Sequence, residues 1–85
     1  MDVIINLPSY TIASGLASVW EPGFEIKVKV THGEVVISAN KQGLISFAKQ
    51  LLTLAQDEVP IGSHFHLDET NALSPESISL ILEKR

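Results

Sequence analysis

The sequence predicts a small two-layer α+β domain of the order β-β-α-β-β, with one amphipathic helix packed on one face of an antiparallel or mixed sheet. Three observations support this prediction. Residues 24–39 alternate apolar and polar side chains on both sides of a short turn. Residues 41–57 then follow the apolar spacing of a helix, and residues 64–68 and 77–83 return to alternation. The 85 residues suffice for one domain (1–85), with a core at 24–83 and an uncertain segment at 1–23.

The first hairpin is predicted from two alternating strands, at residues 24–31 and 34–39. Side chains in a strand point to opposite faces in turn. One face of the hairpin therefore carries the apolar side chains of Phe24, Ile26, Val28, Val30, Val35, Ile37 and Ala39. His32 and Gly33 form the turn between the strands, because glycine readily adopts a positive φ.

A single amphipathic helix is predicted over residues 41–57. Asn40 is a suitable N-cap, because its side-chain oxygen can accept a hydrogen bond from an amide of the first turn. The apolar positions follow the i, i+3, i+4, i+7 pattern and comprise Leu44, Phe47, Ala48, Leu51, Leu54 and Ala55. The opposite side is polar and carries Lys41, Gln42, Lys49, Gln50 and Gln56. We expect the apolar stripe to cover the sheet and the polar side to face solvent.

Two further strands are predicted at residues 64–68 and 77–83, joined by a polar loop whose Leu73 reaches the edge of the core.

The first 23 residues are ambiguous. A short strand is favoured by Val3, Ile5 and Leu7, whereas a helix, weakened by Gly15, is favoured by the spacing of Ile12, Leu16, Val19 and Trp20. Pro22–Gly23 then favours a type II turn. Trp20 is expected in the core or at its edge.

The composition excludes several classes of protein. The chain has no cysteines, which excludes disulfides, Cys-ligated zinc and Cys nucleophiles. The formal net charge is −4 and the 6 basic residues are scattered, so we expect no nucleic-acid partner. No apolar run approaches the roughly 20 residues of a membrane-spanning helix, and the acidic start lacks the basic residues of a signal peptide. We therefore expect no membrane partner and a cytoplasmic location.

The stretch HFHLDE contains the candidate site. In a strand, His64, His66 and Asp68 share one face, whereas Phe65 and Leu67 share the other. Two imidazoles at this spacing can bind zinc or copper, and Asp68 would be a third ligand. The alternative interpretation is a solvated or partner-binding face.

Three further residues are candidates for a partner-binding face. Lys27 and Lys29 lie on the polar face of the first strand, opposite its apolar row. Ile81 is an apolar residue on the otherwise polar face of the last strand. It indicates either a contact surface or a second buried side of the sheet. Whether these residues adjoin the two histidines depends on the order of the strands.

The chain contains no constellation typical of an enzyme. No serine lies in a G-x-S-x-G turn, and no glycine-rich segment has the spacing and the lysine of a phosphate-binding loop. The paired carboxylates Asp57–Glu58 and Asp68–Glu69 are sequence neighbours, whose side chains point apart on a strand. We therefore expect no catalytic residues, no enzymatic activity and no cofactor.

The stretch GSHFHLDETNALSPESISLILEK resembles a family of immunity proteins of bacterial polymorphic toxin systems, the family numbered thirty-two. The matching positions are Gly62, His64, His66, Leu67, Asp68, Leu73, Ser77 and Leu80. The preceding hairpin and the helix start, with Gly43 and Leu44, are also similar, so that the resemblance covers residues 24–83. The chain departs from the family pattern in its loop, where LSPES replaces an acid-and-glycine run.

The resemblance implies a protein that binds and neutralises a cognate bacterial toxin and catalyses no reaction. His64, His66 and Asp68 would then organise the fold or contact the partner. Two other hypotheses stay open, namely a small metal-binding domain that uses these three residues and a structural adaptor without a ligand. Unpaired strand edges also favour a homodimer, because an unpaired edge is a template for another chain.

Overall fold

A computed structural model describes residues 2–85 of the chain. Its elements are β1 (Ile26–Thr31), β2 (Glu34–Ala39), α1 (Lys41–Leu54), β3 (His64–Leu67) and β4 (Leu80–Glu83). The α+β class and the strand–helix–strand order are confirmed. The helix ends three residues earlier than the pattern indicates, and the strands at 24–31 and 77–83 begin later.

The four strands form two antiparallel two-stranded sheets, β1–β2 and β3–β4, whereas the sequence pattern predicts one sheet. The segment 74–78 lies between them and bonds to β1 without forming a full ladder. Ser74 N donates to Ile26 O (2.8 Å), and Ile78 N donates to Val28 O (2.9 Å). The predicted strand 77–83 is therefore divided, because its first residues bond to β1 and its last four pair with β3.

Asn40 connects the start of α1 to the start of β1. Its Oδ1 accepts from Gly43 N (2.7 Å) as the predicted N-cap, and also from Glu25 N (3.0 Å). Its Nδ2 donates to Gly23 O (3.0 Å) in the turn before β1. That turn closes with a bond from Phe24 N to Glu21 O (3.2 Å), and Gly23 has a φ of 80°. This geometry agrees with the predicted type II turn.

The core is small and lies between β1, β3 and the loop that follows β3. Its buried apolar members are Ile26, Val28, Leu67, Ala72 and Leu73. The predicted position of Leu73 is confirmed. Trp20 is half-buried at the edge of this core, where it stacks on Phe24 with ring centroids 4.8 Å apart.

The buried face of α1 differs from the predicted one. Gln50, expected to face solvent, is fully buried, and so is Ser46. Leu44 and Leu51 of the predicted apolar stripe are instead 57% and 45% exposed. Leu54 is buried as expected, and Phe47 packs on the core. The helix is thus rotated so that part of its polar side is covered.

The N-terminal segment causes this rotation, because it lies on the polar side of α1 and needs partners for its backbone groups. Gln50 Nε2 donates to Val19 O (2.7 Å), and Ser46 Oγ accepts from Glu21 N (2.8 Å). Gln56 bonds to this segment in the same way, through Tyr10 N and Pro8 O. Neither the strand nor the helix that the sequence suggests forms within residues 2–20.

Gly43 permits the close approach of α1 to the chain before β1. A Cβ at this position would collide with the backbone oxygen of Glu25 and touch the Cβ of Ala39. Backbone atoms cannot move aside as the end of a flexible side chain can. Glycine is therefore required at this position because no room is left for a side chain, although glycine is a poor helix former.

We expect Gly43→Ala to lower the free energy of unfolding by about 1–3 kcal/mol, because the overlap with Glu25 outweighs the better helix propensity of alanine. Gln42→Ala, at an exposed position of the same turn, should change it by less than about 0.5 kcal/mol. Urea denaturation of both variants measures the difference. A Gly43→Ala variant as stable as the wild type would contradict the proposed close contact.

Candidate functional site

The β3–β4 hairpin presents His64, His66 and Ile81 on one outer face. In the register of the hairpin, His66 lies opposite Ile81, and His64 lies opposite Glu83. Residues directly opposite in an antiparallel pair point to the same face of the sheet. All four side chains are exposed, while Leu67 on the inner face is buried. The alternation predicted for HFHL is confirmed, and Ile81 adjoins His66.

The hairpin is held to the end of α1 by Lys84. Its Nζ donates to Gln56 O (2.6 Å) and to Val59 O (2.8 Å), the carbonyls just after the helix. Its backbone N donates to Ser63 O (2.9 Å), and its carbonyl accepts from Gly62 N (2.8 Å). A lysine is favourable here because the C-terminal end of a helix carries partial negative charge. The outer face is therefore attached firmly to the rest of the domain.

Asp68 lies just beyond β3 and organises the loop that follows. Its Oδ1 accepts from Thr70 Oγ1 (2.6 Å) and from Thr70 N (2.8 Å). These two bonds hold the pKa of the Asp68 carboxyl below its ordinary value, since they favour the charged form, and His66 lowers it further. The backbone oxygen of Asp68 accepts from Ala72 N and Leu73 N. Asp68 thus positions the loop that delivers Ala72 and Leu73 to the core.

Because Asp68 has this role in the loop, it does not combine with His64 and His66 into a three-residue metal site. One of its carboxylate oxygens is already occupied by Thr70. Within the part of the chain that the structure describes, no three His, Asp or Glu side chains are grouped so that they could hold a metal ion. His64 and His66 remain an exposed pair of imidazoles on a strand, which by themselves supply two ligands where a tetrahedral zinc site needs four.

Lys27 and Lys29 lie on the other sheet, β1–β2, and do not share a ladder with the histidines. Lys29 is exposed, and Lys27 is half-buried beside Ser74 in a shallow polar hollow. The structure therefore divides the six candidate residues into three groups. His64, His66 and Ile81 form one face, Asp68 belongs to the loop, and the two lysines belong to the first hairpin.

A groove between α1 and β4 was not expected from the sequence. It has a volume of about 390 Å³ and is lined by Leu51, Leu54, Ala55 and residues 81–84. Two signals in the sequence pointed toward it, namely the apolar stripe that contains Leu51 and the apolar Ile81 on a polar face. The groove lies between the C-terminal end of the helix and β4, which pairs with no strand other than β3 among residues 2–85.

The family model of Immunity protein 32 matches residues 34–85, which include β2, α1, β3 and β4. The chain belongs to the Immunity protein 32 family. The matched range begins at β2, so β1 lies outside it, whereas the resemblance in the sequence included both strands of the hairpin. No curated protein and no solved structure matches the chain significantly.

Membership in this family implies a role in toxin neutralisation and a toxin as the partner. Immunity proteins of this kind are generally not enzymes. Among residues 2–85, no helix is long and apolar enough to cross a membrane.

We expect Asp68→Asn to destabilise the protein at neutral pH, because the charged carboxylate is the better acceptor for Thr70. The pKa of Asp68 is lower in the folded state, so its contribution is present above the pKa of the unfolded chain. It is lost as the pH falls through the folded-state pKa. The stability curves of wild type and Asp68→Asn should therefore converge in acid. Urea midpoints over a pH series measure this.

The carboxyl carbon of Asp68, followed by NMR, provides the direct measurement. Its titration should fall below the ordinary value of 3.8. Thr70→Val removes the strongest donor and should move the titration back toward that value. A carboxyl that titrates at or above 3.8 in the wild type would contradict this account.

Proposed function

We propose that this protein neutralises one cognate bacterial toxin by binding it through the outer face of the β3–β4 hairpin, without catalysis. The observation that carries the proposal is the exposed Ile81 opposite His66, since 59% of Ile81 is accessible on a face that is otherwise polar. An apolar centre beside imidazole side chains that can donate or accept hydrogen bonds is the composition typical of a protein-binding surface.

The rigidity of this face supports the proposal. The hairpin is held by Lys84 at one end and by the Asp68 loop at the other. A preorganised face loses little conformational entropy on binding, which favours a tight complex. Neutralisation requires tight binding, because the immunity protein must occupy nearly all of the toxin that is present.

The charge of the chain supports a basic surface on the partner. The formal net charge is −4, and Glu83 stands beside His64 at the end of the outer face. A protein with net negative charge attracts a positive partner during diffusional encounter, more strongly at low ionic strength. We propose the cytoplasm of the bacterium as the place of this encounter, because the cell's own copy of the toxin is made there.

We expect His66→Asn and His64→Asn each to weaken the complex with the toxin at least about tenfold, since both side chains lie inside the proposed contact. His32→Asn provides a matched control. His32 is an exposed histidine on the turn of the other hairpin, and its φ of 52° is one that asparagine adopts readily. Titration calorimetry with the product of the adjacent toxin gene measures the three affinities.

Growth of cells that express the toxin tests neutralisation itself. The wild type and His32→Asn should protect, and the double variant of His64 and His66 should protect less. Protection without a stable complex would contradict the binding mechanism. Failure of the toxin to bind at all would favour the adaptor hypothesis, and equal affinity of all three variants would assign the contact to another surface.

A further inference from the structure

The outer edge of β4 has unpaired backbone groups. Lys84 directs its backbone N and O toward β3, where they bond to Ser63 O and Gly62 N. Because alternate residues of an antiparallel strand face opposite edges, Ile81 and Glu83 direct theirs away from β3. Within residues 2–85 nothing bonds to them on that side. The edge is therefore open to another strand.

The apolar groove follows the same edge. Leu51 and Leu54 of α1 and the C-cap residue Ala55 line it together with residues 81–84, and Leu51 is 45% exposed. A strand added at this edge would lie beside the groove and could remove the exposed side chains of Leu51 and Ala55 from water. Backbone hydrogen bonds and apolar burial would thus act together at one position.

We propose that the added strand is β4 of a second copy of this chain, so that the protein forms a two-fold symmetric dimer through antiparallel β4–β4′ pairing. The sequence of the edge is complementary to itself. With Ile81 opposite Ile81 of the second copy, Leu80 lies opposite Leu82, and Ser79 lies opposite Glu83. Apolar residues then face apolar residues, and the carboxylate faces a hydroxyl.

Two symmetric registers shifted toward the end of the chain are less favourable. A shift that centres the pair on Leu82 sets Glu83 opposite Ile81, and a further shift sets Glu83 opposite Glu83 of the second copy. Like charges directly opposite on a sheet are destabilising. An isologous interface also matches the geometry, because each copy supplies both the open edge and the strand that fills it.

The dimer would connect the outer faces of the two copies. Across the four strands, His66 and Ile81 of one copy would be followed by Ile81 and His66 of the other. The histidine side chains on this face would stay accessible, since pairing uses backbone groups at the edge, while the two Ile81 side chains would adjoin at the centre. The dimer is independent of the proposed function, because its test requires no toxin.

Leu51→Glu tests the groove, and Leu52→Glu is its matched control. The two leucines are 45% and 44% exposed on the same helix, but only Leu51 lines the groove. Sedimentation equilibrium of the wild type and of Leu52→Glu should give twice the chain mass of 9.3 kDa. Leu51→Glu should dissociate at least about a hundredfold more readily, because each dimer would bury two unpaired carboxylates.

A disulfide tests the register without weakening the interface. The chain has no cysteines, so Ile81→Cys introduces a single thiol. Hydrogen-bonded antiparallel partners have Cα atoms about 5.5 Å apart, within the range that a disulfide spans. Ile81→Cys should therefore oxidise to a covalent dimer. Ile37→Cys, on the open edge of β2, should stay monomeric in denaturing electrophoresis.

Three results would overturn the proposal. A wild-type mass of 9.3 kDa at every concentration would exclude the dimer. The interface would lie elsewhere if Leu51→Glu and Leu52→Glu dissociated equally. The same conclusion would follow if Ile37→Cys cross-linked rapidly and Ile81→Cys did not. A monomeric wild type whose toxin affinity falls on Leu51→Glu would identify a toxin segment as the occupant of the groove. Circular dichroism establishes that each variant is folded.

Discussion

Asn40 bonds through both ends of its side-chain amide to three backbone groups, and the arrangement of the domain depends on that junction. The oxygen accepts from the first turn of α1 and from Glu25, and the nitrogen donates to Gly23. One residue thereby holds the helix, the entry to β1 and the turn before it in a single geometry. A chain of 85 residues buries a limited apolar core. Hydrogen-bonded junctions of this kind therefore help to fix how its helix and strands are arranged. The missing side chain of Gly43 allows the helix to approach β1 at this point.

The orientation of α1 shows where sequence periodicity is informative and where it is not. The apolar spacing predicted the helix and its start at Asn40, because both depend on local interactions. It did not predict the buried face, because that depends on a segment far away in the sequence. Ser46, Gln50 and Gln56 supply the hydrogen bonds that an irregular N-terminal segment needs, and this draws polar side chains inward. An apolar helix stripe alone carries no information about such a partner.

The candidate site was predictable to the extent that it depends on alternation within a strand. His64 and His66 lie on the outer face, and so does Ile81, the apolar exception that indicated either a contact surface or a second buried side and is 59% exposed. The position of the Asp68 side chain was not predictable in this way. The strand ends before Asp68, and Thr70 donates a hydrogen bond to its carboxylate. Lys27 and Lys29 were separated from the histidines by the division into two sheets. That division depends on how residues 74–78 bond to β1, a long-range feature that local patterns do not contain.

Part of the apolar stripe of α1 is uncovered on the side of β4. Leu51 is 45% exposed and lines the open groove beside β4, which pairs with β3 only among residues 2–85. An open apolar groove beside an unpaired strand edge favours association over solvation. The outer face and the edge of β4 point in perpendicular directions, because side chains leave a sheet along its normal and hydrogen bonds lie within its plane. One four-residue strand can therefore present side chains to a toxin and pair its backbone with a second copy at the same time.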